Sequence, residues 1–224
     1  LPPRMRLKDA PVYNHWVSLR SRGWKARGVD EPLRAMENAG YTNLWSYRFD
    51  WDDQDDNWLF PFSEILGAAH GAEIAFVMGG PMYGSIGAYM YPDNASARAL
   101  TDRMMAAWGN FAHRGMPGEV DGKPWPPYGA DGPHTMILDS GDDHGIETEF
   151  ISLETVLAEA AEPSPLDGVE RCLLAWELLI NIGRPQYDGY ASWHDGECAD
   201  LDPQEQKRRI TEQLVAEYGS VSLP

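Results

Sequence analysis

The sequence predicts an α/β fold whose sheet is incomplete. Three observations predict it: an alternating aromatic run at 43–51, a short apolar strand at 135–139, and a set of capped amphipathic helices around them. Sheets usually carry about 4–6 strands. One or two strands are therefore part of a larger layer rather than a layer in themselves. The 224 residues suit one large domain or two small ones.

The elements follow in order. Residues 12–19 give a short, mixed pattern, broken by Gly23 and Gly28. Asp30 is a predicted helix cap with Pro32 in the first turn, and the helix runs through Leu33 and Met36 to a stop at Gly40. In the strand at 43–51, Trp45, Tyr47, Phe49 and Trp51 share one face, and Leu44, Ser46, Arg48 and Asp50 share the other. An aromatic face of this size is expected to lie under neighbouring helices. Residues 81–92, rich in Gly and Tyr, read as a loop. Asn94 or Ser96 then caps a helix with Leu100, Met104, Trp108 and Phe111 on one stripe, ended by Gly115 and Pro117. Residues 125–128 are turn-like. After the strand at 135–139 come a turn at Gly141-Asp142-Asp143 and a hairpin partner at 147–151. Helices are predicted at 152–161, at 166–181 with Val169, Leu173, Trp176 and Ile180 inward, and from Asp202-Pro203 to Tyr218.

Charge excludes several classes of partner. Lys and Arg number 18 against 35 Asp and Glu, a net charge of −17. Phosphate backbones and anionic lipid must be met by Lys/Arg clusters, and none occurs, so neither nucleic acid nor a membrane surface is an expected partner. No apolar run reaches the roughly 18–20 residues of a membrane span, and a soluble chain is expected, its compartment open. Asn94-Ala95-Ser96 fits a glycosylation acceptor and a helix cap equally well. Cys172 and Cys198 exclude a four-cysteine zinc site but allow either one disulfide or two thiols.

Chemistry-bearing residues are few. The acidic run at 50–57 has two readings, a calcium loop and a solvated surface loop. The second is preferred, because the glycine at the sixth position and the closing glutamate of an EF-hand are missing. Six histidines show no metal-motif spacing, so neither a metal nor a cofactor is expected. His113 sits near a helix end, and His134, His144 and His194 lie in polar loops where surface residence is the default. His70 differs. It stands between Ala69 and Gly71, where small neighbours leave room for a substrate, although a lone histidine is more often structural. No G-x-S-x-G elbow is present, and Ser85 in Gly84-Ser85-Ile86-Gly87 comes closest.

These residues also carry a resemblance. Tyr47-Arg48-Phe49-Asp50-Trp51 followed by residues 66–79, with Ala69-His70-Gly71-Ala72-Glu73, resembles the histidine segment of type B carboxylesterases, the carboxylesterase/cholinesterase family. Trp108-Gly109-Asn110-Phe111-Ala112-His113-Arg114-Gly115-Met116-Pro117 resembles the family's W-x-x-F-A-x-x-G-x-P. Trp125-Pro126-x-Tyr128 and residues 136–139 follow at the expected distances. The likeness is clear over about residues 40–140. It implies the C-terminal part of an α/β-hydrolase fold, its last strands and packed helices, with residues 1–224 as one portion of a single domain carrying the triad histidine.

The implied activity is carboxylic-ester hydrolysis by a serine–acid–histidine triad acting on a small ester. His70 matches the general base, and Glu73 matches a carboxylate that supports it. The chain departs from the family in one respect: serine elbow, oxyanion glycines and triad acid are absent. With Leu1 in place of a starting Met, the expectation is a piece of a longer or cleaved enzyme, inactive alone, whose partner is the serine-bearing N-terminal portion. The alternative is a non-catalytic cholinesterase-like interaction module.

Overall fold

A computed structural model of the chain describes residues 6–219, apart from 83, 85, 86, 130 and 142. Leu1, Ser85 and Asp142 of the predicted turn therefore lie outside the described residues. In chain order the elements are α1 (Ala10–Lys25), a π turn (Ala26–Asp30), α2 (Glu31–Asn38), β1 (Ser46–Phe49), α3 (Phe62–Ile65), α4 (Glu73–Met78), α5 (Gly87–Met90), α6 (Ala95–Arg114), β2 (Glu119–Val120), β3 (Lys123–Pro124), β4 (Thr135–Leu138), β5 (Gly145–Glu147), α7 (Leu153–Ala161), α8 (Gly168–Trp176), a second π turn (Glu177–Asn181), α9 (Tyr187–Ser192) and α10 (Pro203–Tyr218). They form two compact units. One contains Leu33–Phe150, the other Asp9–Pro32 with the residues from Ile151 onward.

The first unit is built on a three-stranded sheet of order β1-β4-β5. β1 and β4 run parallel, with Ser46 opposite Thr135 and Phe49 opposite Leu138. β5 returns antiparallel, Met136 opposite Ile146, so the hairpin partner lies two residues earlier than the sequence suggests. The aromatic face of the first strand packs edge-on as expected. Trp45 meets Phe111, Tyr47 meets Trp108, and both Phe49 and Trp51 meet Phe76 of α4. Trp51 is fully buried, whereas Tyr47 keeps 36% of its surface. On the opposite face Arg48 is held by Asp50 at 2.7 Å and by Glu147 at 2.7 Å.

α6 begins and ends where the sequence places it. The Asn94 carboxamide oxygen accepts the Ala97 N–H at 2.8 Å, and Gly115 closes the helix in the left-handed region at φ 73°. Its buried face is Ala97, Leu100, Thr101, Met104 and Ala107. The predicted stripe lies on that face: Leu100 and Met104 are fully buried and Trp108 packs partly buried against the same core, while Phe111, in the last turn, stays 49% exposed. Ser96 is not the cap. Its hydroxyl accepts from Trp51 Nε1 at 2.8 Å and donates to Asp53 at 2.6 Å.

His144 corrects another expectation, being 6% exposed rather than on the surface. Its Nδ1 lies 2.6 Å from the Gly141 carbonyl, and its Nε2 lies 3.6 Å from Asp121. Nearby, burial raises the carboxyl pKa values of Asp52 and Asp139, and their acidic neighbours Asp50 and Asp143 add to the effect. A carboxyl whose pKa is raised on folding opposes the folded state above that pKa, and the opposition fades as pH falls through it. Asp139→Asn keeps an oxygen to accept the Ser140 N–H and removes the charge. It is expected to raise the melting temperature by about 1–2 °C near pH 8, and by nothing below the carboxylate range. An unchanged melting temperature at both pH values would contradict this.

The second unit is helical. Gly23 and Gly28 do not break its first helix, which passes through Gly23 and continues as the π turn. Gly23 is required by close packing: a Cβ there would stand 2.0 Å from Leu178 Cδ2. Asp30 caps nothing. It is fully buried, pairs with Lys25 Nζ at 2.6 Å and accepts the Ile151 N–H at 2.8 Å. Arg27 fills the other side of the turn, donating to the Leu178 and Leu179 carbonyls at 2.8 and 3.0 Å. These are terminal carbonyls that a helix end leaves without partners.

α8 opens with a full capping box between Asp167 and Glu170. Its buried residues are Cys172, Leu174 and Ala175, and the π turn that follows adds Leu178, Leu179 and Ile180; of the expected face Ile180 is buried, while Val169 is 39% exposed. Asp202 caps α10 as expected, accepting the Gln204 and Glu205 N–H groups, with Pro203 first in the helix.

Cys172 and Cys198 form a disulfide, 26 residues apart, which settles the alternative that composition leaves open. Closing a loop of this length removes about 3 kcal/mol of unfolded-chain entropy. Replacing both cysteines by serine is expected to lower stability by about that amount, read as an earlier urea midpoint. An unshifted midpoint would show that the bridge contributes nothing.

Candidate active site

His70 and its neighbours sit on the segment joining β1 to α4. The chain leaves α3 by a tight turn in which Leu66 N–H and Gly67 N–H both reach the Phe62 carbonyl, at 2.8 and 3.3 Å. Gly67 takes φ +50°, a backbone that L side chains rarely adopt. Its carbonyl accepts the Ala69 N–H at 2.9 Å. A second turn follows at once, closed by Ala72 N–H to the Ala69 carbonyl at 3.0 Å. His70 and Gly71 are its two central residues, and Gly71 has φ +86°. A positive φ at the third residue is what a type II turn demands, so glycine after the histidine is a geometric need. His70 itself is exposed at the tip of the turn.

Glu73 is the first residue of α4, three positions after His70, and is half-buried. A carboxylate in the first turn suits the positive end of the helix dipole. Burial, and next the Glu73 charge, push the Tyr47 hydroxyl pKa up. Ala75 and Phe76 anchor α4 in the core, and Gly79 ends it at φ +75°.

The acidic run lies on the surface, as preferred, with Asp52, Asp53, Asp55 and Asp56 exposed, and several of its carboxylates are also engaged by neighbours. Asp53 accepts from Ser96, Asp55 lies 3.4 Å from Asn94 Nδ2, and Asp56 accepts both the N–H and the hydroxyl of Ser63 at 2.9 and 3.0 Å. Among the described residues no group of three or more His, Cys, Asp or Glu is placed to hold a metal ion. No helix among them is long and apolar enough to cross a membrane. Within the run, Gln54 escaped the sequence reading. It is 7% exposed and donates from Nε2 to the Gly67 carbonyl at 2.6 Å. An amide reaching a backbone carbonyl thirteen residues away leaves no pattern in a sequence.

The other histidines lie elsewhere. His113 is exposed in the last turn of α6, His134 contacts the Pro127 carbonyl at 3.3 Å, and His194 in the second unit meets Glu197 at 2.5 Å. That contact, with one from Arg171, holds the Glu197 pKa below its ordinary value.

A model of the carboxylesterase family matches residues 27–152, which include β1, the His70 turn and α4. Acetylcholinesterase of Gallus gallus is 34% identical over 159 residues, a stretch covering 65% of this chain and 19% of that protein. The chain thus spans about a fifth of the length of that relative. Among solved structures, an esterase from Clostridium hathewayi, described as able to hydrolyse aliphatic aromatic polyesters, aligns with a TM-score of 0.44 at 18% identity, covering 70% of this chain and 34% of that one. With more than half of its residues matched by the family model, the chain belongs to the carboxylesterase family.

Proposed function

We propose that this chain is the histidine-bearing portion of a carboxylic-ester hydrolase with an acyl-enzyme mechanism. The observation that carries the reading is the family match running through His70, an exposed histidine at the tip of a type II turn. His70 takes the proton of a serine hydroxyl as that oxygen attacks the ester carbonyl, then gives it to the leaving alkoxide. Water repeats the sequence on the acyl-serine, releases the acid and restores both side chains. A triad carboxylate orients the imidazole, and backbone N–H groups stabilise the oxyanion.

The sequence has no G-x-S-x-G, so serine, acid and oxyanion donors belong to a preceding portion of the enzyme, on the same polypeptide or a cleaved one. β1 forms one edge of the sheet, and that portion supplies the strands that continue it into an α/β-hydrolase layer. Glu73 supports the histidine segment from the start of α4. The substrate is a small carboxylic ester; acyl and alcohol preference are set by pocket residues outside this chain.

The test compares this chain alone with the polypeptide that includes the preceding portion, using a short-chain p-nitrophenyl ester and a fluorophosphonate label. Turnover and a labelled serine outside these residues are expected only for the longer form. Turnover by this chain alone, or a label on one of its own serines, would overturn the reading.

A further inference from the structure

We infer that Gln54 is a positioning residue for His70, and that the acidic segment around it is the strap through which α6 fixes the catalytic turn. The inference rests on the reading of His70 as general base. Three observations carry it. First, the His70 turn is joined to the Gly67 carbonyl on one side and to the head of α4 on the other. The α4 side is deep, with Phe76 fully buried. On the other side Gly67 is a left-handed glycine three residues from the histidine, and its carbonyl takes the one side-chain hydrogen bond from Gln54 at 2.6 Å.

Second, Gln54 is buried at 7% exposure, and its Oε1 is also buried with no hydrogen-bond partner among the described residues. An apolar side chain of the same length would avoid that unsatisfied acceptor. Glutamine is thus a poor choice for packing, and its Nε2 donation is what the position gains. Third, the residues beside Gln54 are tied to the start of α6. Asn94 Nδ2 donates to the Asp53 carbonyl at 3.2 Å, Ser96 donates to the Asp53 carboxylate at 2.6 Å, and Trp51 Nε1 donates to Ser96 at 2.8 Å. The path runs from the capped first turn of α6, through Asp53 and Gln54, to the Gly67 carbonyl and the turn.

A general base must meet the serine oxygen within hydrogen-bond reach, and a misplacement of about 1 Å can lower the rate on the order of a hundredfold. Gln54→Met preserves length and packing and removes only the tether. In the complete enzyme it is expected to lower kcat about 10- to 100-fold, to leave KM within about twofold, and to slow fluorophosphonate labelling by the same factor as kcat. Its melting temperature is expected to stay at or above that of the parent, because the orphaned acceptor is gone.

His70→Ala is measured beside it. Should His70→Ala abolish turnover while Gln54→Met keeps the parent kcat per titrated serine, the inference is overturned and the functional reading stands. Should His70→Ala turn over normally, the functional reading itself falls. If Gln54→Met is less stable than expected, kcat per titrated serine still decides, since that count includes only folded sites.

Discussion

His70→Ala in the complete enzyme is expected to lower kcat by about 10³-fold or more, with the melting temperature unchanged. The size follows from the role. Without the base the serine attacks as a neutral hydroxyl, and the leaving alkoxide departs unprotonated. Neither deficit is recovered by substrate binding, so KM is expected to move little. The unchanged stability follows from position: His70 is exposed at the tip of its turn, and the turn geometry is set by Gly71 at φ +86°. The measurement is steady-state hydrolysis of a p-nitrophenyl ester beside a thermal melt. A lowered melting temperature with kcat per folded molecule intact would make His70 a structural residue.

Asp30→Ala is the substitution expected to unfold the most. Asp30 and Lys25 are 0% and 7% exposed at their side chains and lie 2.6 Å apart, and the same carboxylate oxygen accepts the Ile151 N–H at 2.8 Å. Removing the carboxylate strips a buried ammonium of its counter-charge and a buried N–H of its acceptor. Breaking a buried pair in this way costs about 3–5 kcal/mol. Replacing both partners by apolar residues, Lys25→Met with Asp30→Leu, is expected to cost much less, because no buried charge remains. Urea unfolding followed by circular dichroism reads both. An Asp30→Ala midpoint equal to the parent's would show that the pair is not buried as described.

These two sites differ in how far they were legible. Several local signals are legible in the sequence. The aromatic alternation at β1, the Asn94 cap of α6, and the Asp202-Pro203 start of α10 each depend on neighbours a few residues away. Asp30 carried an equally good local signal and was misread. Its partners are Lys25 and the Ile151 N–H, the latter 121 positions distant, and tertiary pairing overrode the capping preference. Gly23 looked like a breaker for the same reason: its need is set by Leu178 from another helix.

His70 occupies an intermediate case. Its composition makes it only a candidate, and the ordered blocks of family resemblance suggest the role proposed for it. The structure adds the type II turn, which explains Gly71, and Gln54, which no spacing rule could find. In the acidic run Asp53, Asp55 and Asp56 are exposed, as a surface loop requires, and what the sequence leaves unseen is their contacts with Ser96, Asn94 and Ser63.

The central claim is that His70 moves the proton in ester hydrolysis. The most direct measurement is turnover by the complete His70→Ala enzyme with and without added imidazole. A vacated base position admits the free base, so imidazole is expected to restore turnover in a saturable way, with a pH dependence that follows neutral imidazole. Parent-level turnover by His70→Ala without imidazole would contradict the account.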